Sequence, residues 1–219
     1  MRLRSILKNR PKSMALVNGR PFLDTLLDYL LSYGVGRIIL AVGYRKDIIK
    51  EYYRKKKKGA GLIFAEEVKP LGTGGALKNA LRFAKSRHIL VLNGDSFCNT
   101  DLVKFLNFHK QKKAILSLVL AKKEGASEYG VVKIDKASRV TSFCEKGKIH
   151  SGFVNAGIYL FSRGALRYLP RGKNFSLEYD LFPSLTKTKC CGYLTSARLI
   201  DIGTPQKIKE AEKFFQYAK

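Results

Sequence analysis

An α/β fold with a mostly parallel sheet flanked by helices is what this 219-residue chain predicts. Three observations lead there. Strand-like apolar runs alternate with segments of helical period through the first half. One of those runs, "HILVLNG" (His88–Gly94), is apolar throughout, as a strand covered on both faces of a parallel sheet would be. In the second half the strands follow one another without long helices between them, which reads as an antiparallel extension beside the parallel part.

The elements follow in order. "RIILAV" (Arg37–Val42) is β-branched and glycine-bounded, hence a strand, and "RKDIIKEYYRK" (Arg45–Lys55) places Ile48, Ile49, Tyr52 and Tyr53 at helical spacing. "GLIFAEE" (Gly61–Glu67) is strand-like. "GALKNALRFAK" (Gly75–Lys85) is helical, with Leu77, Ala80, Leu81 and Ala84 on one face. After the strand at His88 comes a helix over Asp101–Lys110, with Thr100 as its expected N-cap. "AILSLVLA" (Ala114–Ala121), "YGVVKID" (Tyr129–Asp135), "RVTSFCEKG" (Arg139–Gly147) and "FVNAGIYLF" (Phe153–Phe161) read as strands. A last amphipathic helix begins at Pro205, a residue suited to a first helical turn. No repeat, linker or low-complexity stretch divides the chain, so residues 1–219 read as one domain.

Composition narrows the partners. Apolar residues make up 45% and charged residues 27%, an ordinary globular balance, but 42 Lys+Arg face 17 Asp+Glu for a formal charge of +25. That excess asks for an anionic partner. The basic residues are scattered, and the one dense run, Lys55–Lys58, falls between a helix and a strand, where a solvated loop is expected. This argues against nucleic acid, whose binders cluster basic and aromatic residues on one element. Cys98, Cys144, Cys190 and Cys191 form no C-x-x-C pair and read as reduced thiols rather than zinc ligands. His88, His109 and His150 share no ligand spacing and are expected to be structural. No apolar run reaches membrane-spanning length and no signal peptide is recognisable, so a cytoplasmic protein without membrane contact is expected. Whether copies assemble into a homo-oligomer is left open.

Chemistry is expected beyond the carboxyl ends of the parallel strands. Asp95 in "NGDS" follows the apolar strand after a glycine; it suits a divalent cation, or equally the cap of a turn. Asp201 in "LIDIGTP" also ends a strand-like stretch, and the two together would make one cation site. Glu145 and Lys146 in "CEKG" end a hairpin strand, where adjacent opposite charges ordinarily mean surface. Leu71-Gly72-Thr73-Gly74-Gly75 opens a helix as phosphate loops do, yet matches neither G-x-x-x-x-G-K-[ST] nor G-x-G-x-x-G; it is either a ligand contact or a tight turn into the helix.

The string "RLRSILKNRPKSMALVNGRPFLDTLLDYL" resembles the opening of sugar-1-phosphate nucleotidyltransferases, and "PLGTGGAL", "LVLNGDS", "EYGVVKID", "FCEKG", "VNAGIYLF", "FSLEYDLFP" and "IDIGTP" follow in that family's order. The likeness covers nearly the whole chain. It implies the Rossmann-like nucleotide-diphospho-sugar transferase fold and the reaction NTP + sugar 1-phosphate → NDP-sugar + pyrophosphate, with GTP and a heptose- or mannose-type sugar indicated by overall likeness. Joining two polyanions calls for cations and positioning, while the sugar phosphate is itself a competent nucleophile and needs no general base.

The resemblance also assigns residues. Asp95 and Asp201 would hold Mg²⁺, Lys12 after Pro11 would contact phosphate, and Arg2 would bind the leaving pyrophosphate. Leu71, Gly72, Thr73, Gly74 and Gly75 would lie beside the nucleotide, with backbone groups reaching base edges past the missing Cβ atoms. Glu145, Lys146, Asn155, Glu178 and Gly130 would face the sugar, although acidic residues in "FSLEYD" equally suit a helix cap. The family's opening strand and its G-G-x-G-T-R-L loop have no counterpart before "MRLRS". The expectation is therefore an N-terminally truncated domain that binds nucleoside triphosphate poorly, in which the strands flanking the first one lose a partner and leave apolar surface uncovered. Two rivals to an enzyme stand beside this reading: a non-catalytic sugar-nucleotide-binding regulator on the same fold, and a basic nucleic-acid-binding protein.

Overall fold

The computed structural model describes residues 7, 9–55, 61–124, 129–144, 151–186 and 189–217. After a 3₁₀ turn at Lys12–Met14, the two-residue strands β1 (Leu16–Val17) and β2 (Arg20–Pro21) form a small hairpin that leads into α1 (Phe22–Ser32). Phe22, Leu23, Leu26, Leu27 and Leu30 put one buried stripe on that helix. Asp24 is also fully buried there; the hydroxyls of Tyr52 and Tyr53 each donate to it at 2.9 Å. Both tyrosines belong to α2 (Lys46–Lys55), so the buried carboxylate is solvated by phenols and ties the two helices together.

Between those helices lies β3 (Arg37–Val42), which pairs in parallel with β4 (Gly61–Glu66) in unbroken register. Next come α3 (Gly72–Ala80), β5 (His88–Leu92), β6 (Ser96–Cys98), α4 (Leu102–Gln111), β7 (Leu116–Glu124), β8 (Val131–Ile134), β9 (Val140–Cys144) and β10 (Ser151–Ser162). The short α5 (Phe182–Leu185), β11 (Cys190–Thr195), β12 (Leu199–Asp201) and α6 (Pro205–Tyr217) complete the chain. The main sheet runs β11-β7-β10-β8-β9, with β5 also on β10, and β12 pairs with β6.

The α/β class and most element positions agree with expectation, and four details differ. The ladders are mixed rather than mostly parallel: β11 lies parallel to β7, but β10 is antiparallel to β5, β7 and β8. All five residues of β5 are half-buried, because one edge carries β10 and the other opens onto a cavity. Asp101, not Thr100, caps α4, accepting from the Lys104 N–H at 2.9 Å; Thr100 is buried and its carbonyl accepts from the Tyr29 hydroxyl. The helix α3 starts three residues early, at Gly72.

β7 divides the core by the two-residue period of a strand: Leu116, Leu118 and Leu120 face one cluster, Val119 and Ala121 the other. At its start sits a buried polar knot. The Ser162 hydroxyl donates to the Ala114 carbonyl at 2.7 Å, so His109 Nε2–H donates to Ser162 at 2.9 Å and His109 Nδ1 accepts from Ser117 at 2.8 Å. Burial, with His88 beside it, pushes His109 down to about 4. The unfolded chain therefore takes up this proton near pH 6.5 while the folded chain refuses it until about pH 4. Stability from this group is complete above the unfolded value and declines as pH falls between the two, by about 3 kcal/mol in all. Urea unfolding at pH 7.5 and 4.5 should show that decline in the wild type and less of it in His109→Gln; equal slopes would show that His109 does not carry it.

All of β3 and all of β5 line one cavity of about 600 Å³. Leu23 and Leu27 of α1 and Leu77 and Ala80 of α3 wall it further, and it reaches Ser13, Asn93 and Gly94. Among the described residues, β3 pairs only with β4 and β5 only with β10, so each presents its other edge to this space.

Candidate active site at the β6–β12 junction

The loop from β5 into β6 carries Asp95, and β12 ends on Asp201. Antiparallel pairing sets Asp201 opposite Ser96, and the Ile202 N–H donates to the Asp95 carbonyl at 3.1 Å. Two acidic residues remote in sequence thus stand side by side. Asp201 is steadied by the Gly203 N–H, which donates to its Oδ1 at 2.9 Å. Lys12 reaches the same place from the N-terminal turn: its ammonium pairs with Asp95, and it lies 3.7 Å from where a Cβ on Gly203 would be. That Cβ would also fall 2.9 Å from Asp201 Oδ1, so Gly203 leaves the space between the carboxylate and the lysine open.

Asp201 is the more enclosed of the pair, with a side chain 15% exposed against 39% for Asp95. Burial pushes its carboxyl upward, but the Tyr129 hydroxyl, the Gly203 N–H and the Lys207 ammonium outweigh that and hold it below the usual carboxylate range. Lys207, in the first turn of α6, stands 3.0 Å from Asp201 Oδ2. Tyr129 is itself raised to about 12 by burial and by the neighbouring Asp201, so its hydroxyl stays a donor. Sequence reasoning missed both residues. The adjacency of Tyr129 to Gly130 in "EYGVV", and the place of Lys207 six residues past Asp201 at the head of a helix, were the signals available.

The glycine loop takes a particular form. Gly72 holds φ +69°, and a Cβ there would sit 2.6 Å from the Phe175 carbonyl oxygen. Side chains at Gly74 or Gly75 would collide with the Phe175 ring and the Lys173 carbonyl respectively. These glycines let α3 lie flush against residues 173–175, and the Gly74 N–H donates to the Phe175 carbonyl at 2.9 Å. Thr73 donates to Glu178 at 2.8 Å and accepts from the Leu177 N–H, while Leu71 accepts from the Phe175 N–H. Glu178 also accepts from Ser176, the N-cap of the π-type turn Leu177–Leu181. Loop and turn therefore form one unit; of the acidic residues in "FSLEYD", Asp180 accepts from the Ser176 N–H at 2.7 Å and caps the turn, while Glu178 ties it to Thr73.

Asn155 lies at the β10 bulge: it donates to Tyr159 at 2.8 Å and accepts from the Gly157 N–H at 2.9 Å. Gly157, at φ +75°, packs against Ser96 and Asn93 beside Asp95. Gly130 stands between Tyr129 and β8. Arg2, Glu145 and Lys146 fall outside the described residues. Among those described, no group of three or more His, Cys, Asp or Glu side chains is gathered for a metal, and no helix is long and apolar enough to cross a membrane.

A layered α/β domain thus brings two aspartates, each paired with a lysine, to adjoining strand ends. The profile of the nucleotidyl transferase family matches residues 1–217, and the chain belongs to that family. It is 35% identical over 217 residues to a D-glycero-alpha-D-manno-heptose 1-phosphate guanylyltransferase of Aneurinibacillus thermoaerophilus, covering 99% of this chain and 94% of that one. A guanylyltransferase of the same name from Campylobacter jejuni is 37% identical, covering 94% of this chain and 90% of that protein. In structure the chain is similar to HddC from Yersinia pseudotuberculosis complexed with GMP-PN, at a TM-score of 0.85 and 33% identity over 94% of this chain and 90% of the other.

Proposed function

We propose that this chain transfers a guanylyl group from GTP to a heptose 1-phosphate, releasing pyrophosphate. The observation that carries the reading is the meeting of Asp95 and Asp201 across the β6–β12 ladder, in a chain whose relatives at 35% and 37% identity are heptose 1-phosphate guanylyltransferases. The donor set fits Mg²⁺, a hard cation commonly held by one or two carboxylates with phosphate oxygens and water completing its shell. Asp95 and Asp201 would hold it, and when bound it would neutralise charge on the phosphates.

The chain's own residues divide the remaining work. Lys12 places an ammonium beside Asp95 at the mouth of the site, where an incoming phosphate offers it a second anionic partner. The Gly203 N–H and Tyr129 hydroxyl keep Asp201 ionised and oriented. Gly72–Gly75 and the Leu177–Leu181 turn form a rigid wall on which the nucleotide is seated. Glu145, Lys146 and Asn155 serve the sugar, and Arg2 the leaving pyrophosphate. No side chain is required as a general base, because the attacking phosphate oxygen is already anionic.

The test is a pyrophosphate-release matrix of GTP, ATP, UTP, CTP and dTTP against D-glycero-D-manno-heptose 1-phosphate, mannose 1-phosphate and glucose 1-phosphate, with Mg²⁺. The highest kcat/KM is expected for GTP with the heptose phosphate, with GDP-heptose identified by mass. A preference for another base or sugar corrects the substrate; absence of nucleotide sugar with every pair returns the chain to the regulatory reading.

A further inference from the structure

Two ammonium groups gather on the Tyr129–Asp201 pair. Lys207 Nζ stands 3.0 Å from Asp201 Oδ2, donates to the Tyr129 hydroxyl at 2.9 Å and lies 4.6 Å from the centre of that ring. From β7, Lys123 donates to the same hydroxyl at 3.0 Å and lies 4.4 Å from the ring centre. Tyr129 is thus held by two ammonium groups while its own O–H donates to Asp201. Four separate stretches of chain converge here: the end of β7, the residues before β8, the end of β12 and the first turn of α6.

We propose that Lys207 is the resident counter-ion of Asp201, competing with the divalent cation and passing its charge to the nucleotide's phosphates when the cation binds. The inference rests on the reading that Asp201 holds the metal. With its side chain only 20% exposed, Lys207 gives up a close ionic partner when it gives up Asp201, and another anion beside it offsets that loss. A cation taking Asp201 from Lys207 leaves the ammonium beside the place the phosphates enter. Cation alone therefore binds weakly, because it must displace a lysine. Cation and polyphosphate together bind well, because the displaced lysine acquires a new partner. Tyr129 is the constant partner: its ring and hydroxyl hold the Lys207 ammonium while the anion beside it changes. Lys12 and Asp95 form a second lysine–carboxylate pair of the same kind, so the site keeps near-neutral charge before substrate arrives.

Mn²⁺ binding measured by electron paramagnetic resonance, without nucleotide, separates the possibilities. Lys207→Met keeps a side chain of similar length and removes the competing charge, so its Mn²⁺ affinity is expected to rise about five- to ten-fold, while Lys207→Arg stays within about two-fold of wild type. At saturating Mg²⁺, GTP binding followed by calorimetry is expected to weaken about five- to ten-fold in Lys207→Met. Mn²⁺ affinity unchanged or lowered in Lys207→Met overturns the competition, and unchanged GTP affinity overturns the hand-over. Asp201→Asn distinguishes the parent reading: if it leaves Mn²⁺ binding intact, Asp201 is not the metal ligand and both readings fall; if it abolishes binding while Lys207→Met has no effect, only the present inference does.

Discussion

Asp95→Asn is expected to lower pyrophosphate release about 100- to 1000-fold while changing the free energy of unfolding by no more than about 1 kcal/mol. The two numbers separate because of where Asp95 sits. Its side chain and that of its partner Lys12 are each 39% exposed, so their pair is solvent-screened and contributes little to folding. The Asp95 backbone, by contrast, carries the hydrogen bond from Ile202 that aligns the two strand ends, and asparagine keeps that bond. What disappears, on the proposed reading, is one anionic ligand of the cation that neutralises phosphate charge. The coupled pyrophosphate assay and thermal unfolding by circular dichroism read the two quantities on the same sample. Turnover within three-fold of wild type removes Asp95 from the machinery, whatever the stability shows.

The second large effect concerns the space between β3 and β5. A five-residue strand is about 17 Å long, sits about 4.8 Å from each neighbour and spans a layer about 10 Å deep, or about 800 Å³; the cavity measures about 600 Å³ and is lined by both strands along their full length. Ser13 and Gly94 border the same cavity, so a strand ending there would come close to Lys12 and Asp95. Fusing an uncharged β-branched segment such as Val-Ile-Val-Ile-Ala, with a glycine-rich connector, ahead of Met1 is expected to raise the melting temperature by about 6–12 °C. Full burial of its four branched side chains at about 2.5–3 kcal/mol each, the upper part of the usual range, less about 1.5 kcal/mol per ordered residue, leaves about 3 kcal/mol, which for a domain of this size is that many degrees. Slowed amide exchange at Ile39, Ala41, Leu90 and Leu92, whose N–H groups face away from β4 and β10, should accompany the shift. A fusion carrying lysines at the second and fourth positions is the control, since both faces of the slot are apolar. Equal melting temperatures for the two fusions, with no exchange protection in β3 and β5, would rule out a seat for a strand.

Much of the fold was legible because its signals are local. The alternation of "RIILAV", "RKDIIKEYYRK" and "GLIFAEE" gives β3, α2 and β4 nearly to the residue, since period two and period 3.6 are properties of neighbouring side chains. The start of α3 was misread for an equally physical reason. Glycine is a poor helix former, and only the Phe175 ring and Lys173 carbonyl, reached from a hundred residues away, explain why it is used inside the first turn. Asp101 displaced Thr100 as a cap because the Thr100 hydroxyl is engaged by Thr195, a partner no window of sequence contains. Thr73 and Glu178 likewise meet only because the loop and the later turn pack as one unit.

Sequence alone determined the class of fold and the order of the motifs, those carrying Asp95 and Asp201 among them, because residue type, local period and motif order survive without coordinates. Tertiary structure alone decided that Asp95 and Asp201 are neighbours, that Tyr129, Lys123 and Lys207 surround one of them, and that β3 and β5 face each other across a cavity. Those facts depend on which strand pairs with which, and pairing is settled by burial and ladder hydrogen bonds summed over the whole domain.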